Sequence, residues 1–210
     1  MQVQSAIEER RAVRHFDPDH KISDADLREL LNGFALAPSS FNMQNRQVVA
    51  VVDPAIKKRI QAAAWGQQHV SDASVLMVMA GSLDAHKDPS RYLRDAPEAL
   101  REQFTPMIGE FYGGKDRLIR DEACRSVGMA AMGLMLQAKG MGYESCPMIG
   151  FDPDQVAEIV GLDADHPPLM LIAVGKGVEP AHARLGLLEF EETVSVDSFG
   201  NRAITGTPGK

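Results

Sequence analysis

The chain reads as a mixed fold of helices and strands, of α/β or α+β class, because segments with a helical apolar period alternate along it with short β-dense runs. Three stretches carry that reading. Leu27, Leu30, Leu31 and Phe34 recur at i, i+3, i+4, i+7 and mark one helical stripe. Residues 47–52 and 74–80 are dense in Val and Met and bounded by turn residues, as strands buried on both faces are. Residues 117–139 form the longest helix candidate.

In chain order, a helix begins near Val3 and runs into Arg10-Arg11-Ala12-Val13-Arg14-His15-Phe16. With helical spacing maintained, Val3, Ile7, Arg10 and Arg14 share one stripe, so an apolar face continues into two guanidinium groups. Ser23 is placed to cap the next helix, with Asp26 as capping-box acid and Ile22 stapling onto Leu27; that helix runs to about Ala35, and Pro38 ends it. Asp53-Pro54 opens a helix to about Ala64. Residues 85–114 carry more charge and the breakers Pro89, Pro97, Pro106, Gly113 and Gly114, and predict a surface excursion of the kind that forms lids or substrate-facing loops.

The second half of the long helix is apolar around its circumference, from Val127 through Met129, Ala130, Ala131, Met132, Leu134 and Met135 to Leu136, which predicts burial on all sides. Gly128, Ala131, Met132 and Gly133 leave room for another backbone, as in a central helix or a subunit interface; a core helix within a monomer fits the pattern equally. Gly140 and Gly142 supply a left-handed stop. Residues 141–146 and 169–174 are further strands, Asp152-Pro153 opens a helix stopped by Gly161, and residues from Ser195 onward form a loosely held tail.

The net charge of −7 and a pI near 5.4 exclude a broadly basic nucleic-acid-binding face. Cys124 and Cys146 have neither CxxC nor metal-ligand spacing, so a reducing cytoplasm is expected and both read as plain thiols. The start shows no signal-peptide pattern, and the most apolar run, Val127 to Leu136, is too short for a membrane span.

Four constellations carry candidate chemistry. Arg10, Arg11 and Arg14 at a helix end suit a buried anion such as phosphate, whose oxygens match arginine's planar fork; equally, cations at a helix C-terminus can simply complement its dipole. The loop Pro38-Ser39-Ser40-Phe41-Asn42-Met43-Gln44-Asn45-Arg46 gathers hydroxyl and amide groups suited to a polar ligand edge, or to ordinary turn chemistry. Pro147-Met148-Ile149-Gly150-Phe151 is a strand end where Gly150 permits close approach and backbone amides can point at a ligand. His182-Ala183-Arg184-Leu185 brings two more potential cations from the far end of the chain.

Together, in this order, these segments resemble the nitroreductase family over most of the chain, from about Ser5 to Phe199. That family pairs an R-R-S-x-R-x-F start with a P-S-S-x-N-x-Q-P-W loop, a P-x-x-G-F turn and a K-x-R-L segment. The resemblance implies an α+β fold, a three-layer α/β/α sandwich with a mostly antiparallel central sheet, as one domain over residues 1–194 followed by a tail at 195–210. It further implies an entwined homodimer holding FMN between subunits. Arg10 and Arg184, with His182, would take the FMN phosphate; Arg11 would lie by the ribityl chain and Arg14 near the pyrimidine edge. Ala12 occupies the position of the family serine, without its hydroxyl. Pro38, Ser39, Ser40 and Asn42 would reach the flavin from the partner subunit, Pro147, Met148, Ile149 and Gly150 would cover the ring with an amide near Ile149 on N5, and Gln67 and His69 would stand at its polar edge.

Further departures are Asn45-Arg46 for Pro-Trp, Gly66 for an asparagine and Ile149 for an acid. The implied activity is electron transfer from NADH or NADPH through flavin to nitroaromatic, quinone or related small-molecule acceptors, with no side-chain nucleophile, no metal, no nucleic acid and no membrane. The alternatives are an FMN-binding carrier or sensor without turnover, a specialised dehydrogenase or flavin-consuming enzyme on the same fold, and a non-flavin hydrolase using Cys146 or Ser39.

Overall fold

The computed structural model of the chain describes residues 1–201 and 204–209; residues 202, 203 and 210 of the expected tail lie outside the described residues. The first helix, α1 (Val3–Glu9), is shorter than its apolar stripe suggests, and Arg10 already has extended geometry at φ −57°, ψ 130°. The expected stripe from Val3 through Arg14 therefore breaks at Arg10, and Val3 and Ile7 are exposed in the single chain. Sheet pairing overrides the helical period. The Val13 amide donates to the Ser145 carbonyl at 3.1 Å, the Asp17 amide donates to that of Lys176 at 2.8 Å, and Val13 and Phe16 become core residues.

The Ser23 hydroxyl caps α2 (Asp24–Ala35) by accepting from the Asp26 amide at 3.0 Å, a contact that contributes about 1 kcal/mol. The Asp26 carboxylate does not fold back as a capping-box acid but accepts the Tyr143 hydroxyl at 2.7 Å. There follow β1 (Arg46–Val51), α3 (Pro54–Ala63) capped by Asp53, the short α4 (Gln68–Asp72) and β2 (Val75–Gly81). The 85–114 stretch is more than a surface excursion. Short 3-10 turns at Ala85–Lys87 and Pro89–Arg91 lead into α5 (Glu98–Tyr112), and Ala85, Tyr92, Leu93, Ile108 and Tyr112 close a small core over Met43.

Then come α6 (Asp116–Gly140), β3 (Glu144–Met148), α7 (Pro153–Val160), β4 (Pro168–Gly175) and α8 (Phe190–Thr193). β3 starts and ends later than expected because the chain is still turning at Met141 and Gly142; Gly142 alone of the two glycines is left-handed, at φ 76°, while Gly140 closes the helix. Gly161 stops α7 at φ 73° as expected. The Phe190 amide donates to Gly206 at 3.0 Å and the Thr207 hydroxyl donates to the Glu189 carboxylate at 2.6 and 2.8 Å, so the segment at 204–209 folds back on the start of α8.

The strands form one sheet in the order β1-β2-β4-β3, every neighbouring pair antiparallel, with one parallel bridge from Ala12 to Ser145 extending the β3 edge. Strand alternation splits the core in two. Leu76, Val78, Leu171 and Ala173 face Ile60, Val70 and Val156 of α3, α4 and α7, whereas Met77, Met79, Ile172 and Val174 face Leu30 of α2 and Val127, Ala130 and Leu134 of α6. The architecture is the expected three-layer α/β/α sandwich.

β2 is buried throughout, but β1 is an edge strand whose middle residues are half-covered, unlike the fully buried strand its composition predicts. α6 is likewise not covered on all sides in one chain: Gly128 is exposed, with Met129 and Met132 39% and 37% exposed beside it. The close backbone approach falls instead at Gly133, where an added Cβ would lie 2.3 Å from the Gly33 carbonyl oxygen of α2. Among the described residues no helix is long and apolar enough to cross a membrane.

Candidate functional site

At the end of α1 the chain turns from helix to extended strand, and this turn gathers the first cationic group. The Arg11 guanidinium donates to the Arg10 carbonyl at 2.9 Å and to that of Glu8, and Arg184 reaches from the other end of the chain to donate to the carbonyls of Ile7 and Glu8, each at 3.3 Å. Two of the cations thus do what any cation at a helix C-terminus does. Arg10 does not. Its Nε is buried without a hydrogen-bond partner among the described residues, and its pKa is pushed down by burial first and then by Arg184 and Arg11. Half-buried, surrounded by like charges and short of an acceptor, Arg10 has the environment of a group built to meet an anion. Ala12 and His182 are both exposed, each close in sequence to a member of this group.

The second group lies further along the same edge. Pro147 and Met148 end β3, Met148 buried, and the chain then lifts Ile149 into solvent before Gly150. The Gln67 side-chain amide donates to the Gly150 carbonyl at 2.8 Å and to that of Ala64 at 3.1 Å, tying the α3–α4 turn to the end of β3. The amides of Ile149 and Gly150 have no acceptor among the described residues. His69 is buried with Nε2 unpartnered among the described residues; burial lowers its pKa, and Arg14 adds to that, which favours the neutral ring. Burial pushes the Cys146 thiol up, the positive charge of Arg14 opposing it only in part. A buried, protonated thiol is no nucleophile, and the Ser39 hydroxyl serves only to accept the Gln44 amide at 2.8 Å, so the hydrolase alternative has no activated group.

The loop Pro38 to Asn42 stands apart from both groups. β1 and β3 are opposite edges of the sheet, separated by three strand spacings of about 4.8 Å, or roughly 14 Å. Within the chain the loop is fastened to the 85–114 segment: Ser40 accepts the Tyr112 hydroxyl at 2.9 Å and the Asn42 amide donates to the Tyr92 carbonyl at 2.8 Å. Phe41, Asn42 and Gln44 all have positive φ, so the loop is tightly wound. The structure therefore brings Arg10, Arg11 and Arg184 together, and Gln67 and Gly150, and Arg14 beside His69, but keeps Pro38, Ser39, Ser40 and Asn42 at the far edge.

Two residues with a positional role were missed in the sequence. Arg46, there only a departure from Pro-Trp, is 5% exposed and donates to the carbonyls of Ala35 at 3.2 Å and Ala37 at 2.7 Å and to the Ser126 hydroxyl at 3.0 Å, closing the open end of α2 and fixing where the loop begins. No spacing rule reveals such a clamp. Trp65 is the other: it ends the turn after α3 at φ 56° with its ring exposed, and a lone tryptophan ahead of a glycine is the one hint the sequence offers.

Comparison with known proteins agrees with this geometry. The model of the nitroreductase family matches residues 7–176. Protein DrgA of Synechocystis sp. is 46% identical over 177 residues, 84% of each chain. An oxygen-insensitive NADPH nitroreductase of Helicobacter pylori is 30% identical over 83% of this chain and 87% of its own. A solved FMN complex from Exiguobacterium sibiricum superposes with a TM-score of 0.83 at 27% identity, covering 90% of this chain and 94% of the other.

Proposed function

The chain belongs to the nitroreductase family, and from that premise we propose that it is an FMN-dependent oxidoreductase that moves electrons from NADH or NADPH to nitroaromatic, quinone or related electrophilic acceptors, working as a homodimer. The observation that carries the reading is Arg10, buried without an acceptor and crowded by Arg11 and Arg184 from opposite ends of the chain. That donor set fits a phosphate: the guanidinium forks of Arg10 and Arg184 balance a dianion and can form short charge-assisted bonds, with Arg11 alongside. His69 and the free amides at Ile149 and Gly150 fit a polar heterocycle in the same way, as donors and acceptors lacking partners. The bound FMN of the Exiguobacterium relative and the cofactor in the name of the Helicobacter relative point in the same direction.

Arg10 and Arg184, with His182, would hold the phosphate and Arg11 the ribityl chain; Ala12 lacks a hydroxyl and adds only its backbone. FMN, once bound, supplies reversible hydride acceptance at N5. The chain's own groups bind, orient and tune. Arg14 would set positive charge at the pyrimidine edge, where negative charge gathers on reduction, and the neutral His69 would offer a hydrogen bond there. Pro147, Met148, Ile149 and Gly150 would form the floor under the ring, with Gln67 fixing the turn that ends it. Pro38, Ser39, Ser40 and Asn42 would complete the site from the second subunit, since roughly 14 Å of sheet separates them from it within one chain. Residues 1–194 then act as one FMN-binding unit, with 195–210 as a tail.

Anaerobic addition of NADH or NADPH to the FMN-loaded protein tests the reading. The flavin bleaches within seconds and recovers its colour when a nitroaromatic or quinone is added. A flavin that stays oxidised with both nucleotides assigns the protein a carrier or sensor role instead.

A further inference from the structure

Trp65 is the chain's single tryptophan and is 74% exposed, with its backbone in the left-handed region at φ 56° and Gly66 behind it at φ 75°. A bulky residue gains nothing for folding from such a position. It gives up the burial an indole normally supplies and holds a backbone conformation that L side chains avoid. A strained, unburied aromatic is therefore a pointer to a role outside the core.

Its surroundings say which role. The indole lies against Gly150: a Cβ at that position would sit 2.9 Å from the Trp65 Cζ3 and 3.3 Å from the Gln67 amide nitrogen. Only a glycine lets the ring occupy that place. Ile149, immediately before Gly150 in the chain, is 77% exposed. The chain thus turns two large apolar side chains outward around the glycine that ends the candidate flavin floor, while the groups beside them, Gln67 and His69, are polar. This is the composition of a ligand wall, with an apolar plane and few polar groups. The indole N–H donates to no acceptor among the described residues, and the side chain is largely exposed.

We propose that Trp65, backed by Ile149, is the specificity wall for electron acceptors, stacking on flat aromatic acceptors such as naphthoquinones and so favouring them over non-aromatic ones. The proposal rests on the flavin reading above. Stacking on an aromatic partner, with edge contacts from Ile149, is favourable enough that its loss weakens binding about five- to tenfold.

Because Trp65 is the only indole, it reports on itself. The experiment uses oxidised, FMN-loaded protein without NAD(P)H and titrates it with menadione while following tryptophan emission and its quenching by acrylamide. The expected result is that saturating menadione shields the indole and lowers acrylamide quenching at least twofold. Trp65→Ala raises the menadione Kd, read from the flavin absorbance difference spectrum, about tenfold, and Trp65→Phe brings it back to within about twofold of the original. Equal quenching with and without menadione, together with an unchanged Kd in FMN-loaded Trp65→Ala, overturns the wall and leaves the flavin reading standing. Protein that takes up no FMN overturns both.

Discussion

Arg10 concentrates the chemistry of the molecule in one side chain. Without an anion, its burial and its like-charged neighbours Arg184 and Arg11 all act against its charge. With a phosphate dianion in reach the same crowding becomes complementary. Arg10→Ala is therefore expected to change the two states in opposite ways. A charge-assisted hydrogen bond to phosphate contributes about 1.5–3 kcal/mol, so the FMN Kd from flavin fluorescence titration rises roughly 10- to 100-fold. The melting temperature of FMN-free protein does not fall, because the substitution removes repulsion rather than a partner. A fall in FMN-free stability with unchanged FMN affinity would make Arg10 structural. At this scale the sequence was informative about residue types but not about their partners. The arginines at positions 10, 11 and 184 were legible as candidates, yet only the fold shows that Arg11 and Arg184 also bond the end of α1 while Arg10 bonds nothing through Nε.

Helices with local punctuation were readable to within a residue or so. Ser23, Asp53-Pro54, Asp152-Pro153 and Gly161 start or stop their elements by contacts a few residues long, which spacing reveals. Elements shaped by distant partners were not. α1 ends early because residues 12–17 find Ser145 and Lys176, more than a hundred residues away, and α5 went unread because Pro106 and the charges around it masked a helix whose buried face meets Met43 and Tyr92. The crossing of α2 over α6 shows the energetic consequence of such contacts. Gly33 and Gly133 face each other so closely that a methyl group at 133 strikes backbone, which cannot rotate away as a side chain can. Gly133→Ala is expected to lower stability by about 3 kcal/mol in urea denaturation, the helices having to part to admit it. Gly109→Ala in α5, with open space around the added group, is expected to gain up to about 1 kcal/mol from helix propensity. Equal effects at the two glycines would show that the α2–α6 contact is not tight.

For the whole molecule, the sandwich was legible through the alternation of helical and strand periods, and its antiparallel order only through family resemblance, since strand order leaves no local mark. The site is divided in the same way. The cationic group and the turn at 147–150 proposed to cover the ring lie along the β3 edge, while Pro38, Ser39, Ser40 and Asn42 lie beyond β1. α6 meanwhile leaves Gly128, Met129 and Met132 uncovered on a helix whose second half is apolar all round. In the proposed homodimer a second copy would account for both facts at once, covering the exposed stripe and bringing its own loop to the proposed flavin site. The claim that each FMN is held between two copies, one per chain, is tested most directly by measuring the visible absorbance and the particle mass of the same purified sample. The account predicts a yellow protein with one FMN per chain at twice the 22.9 kDa chain mass. A colourless protein of single-chain mass that takes up no added FMN would contradict it.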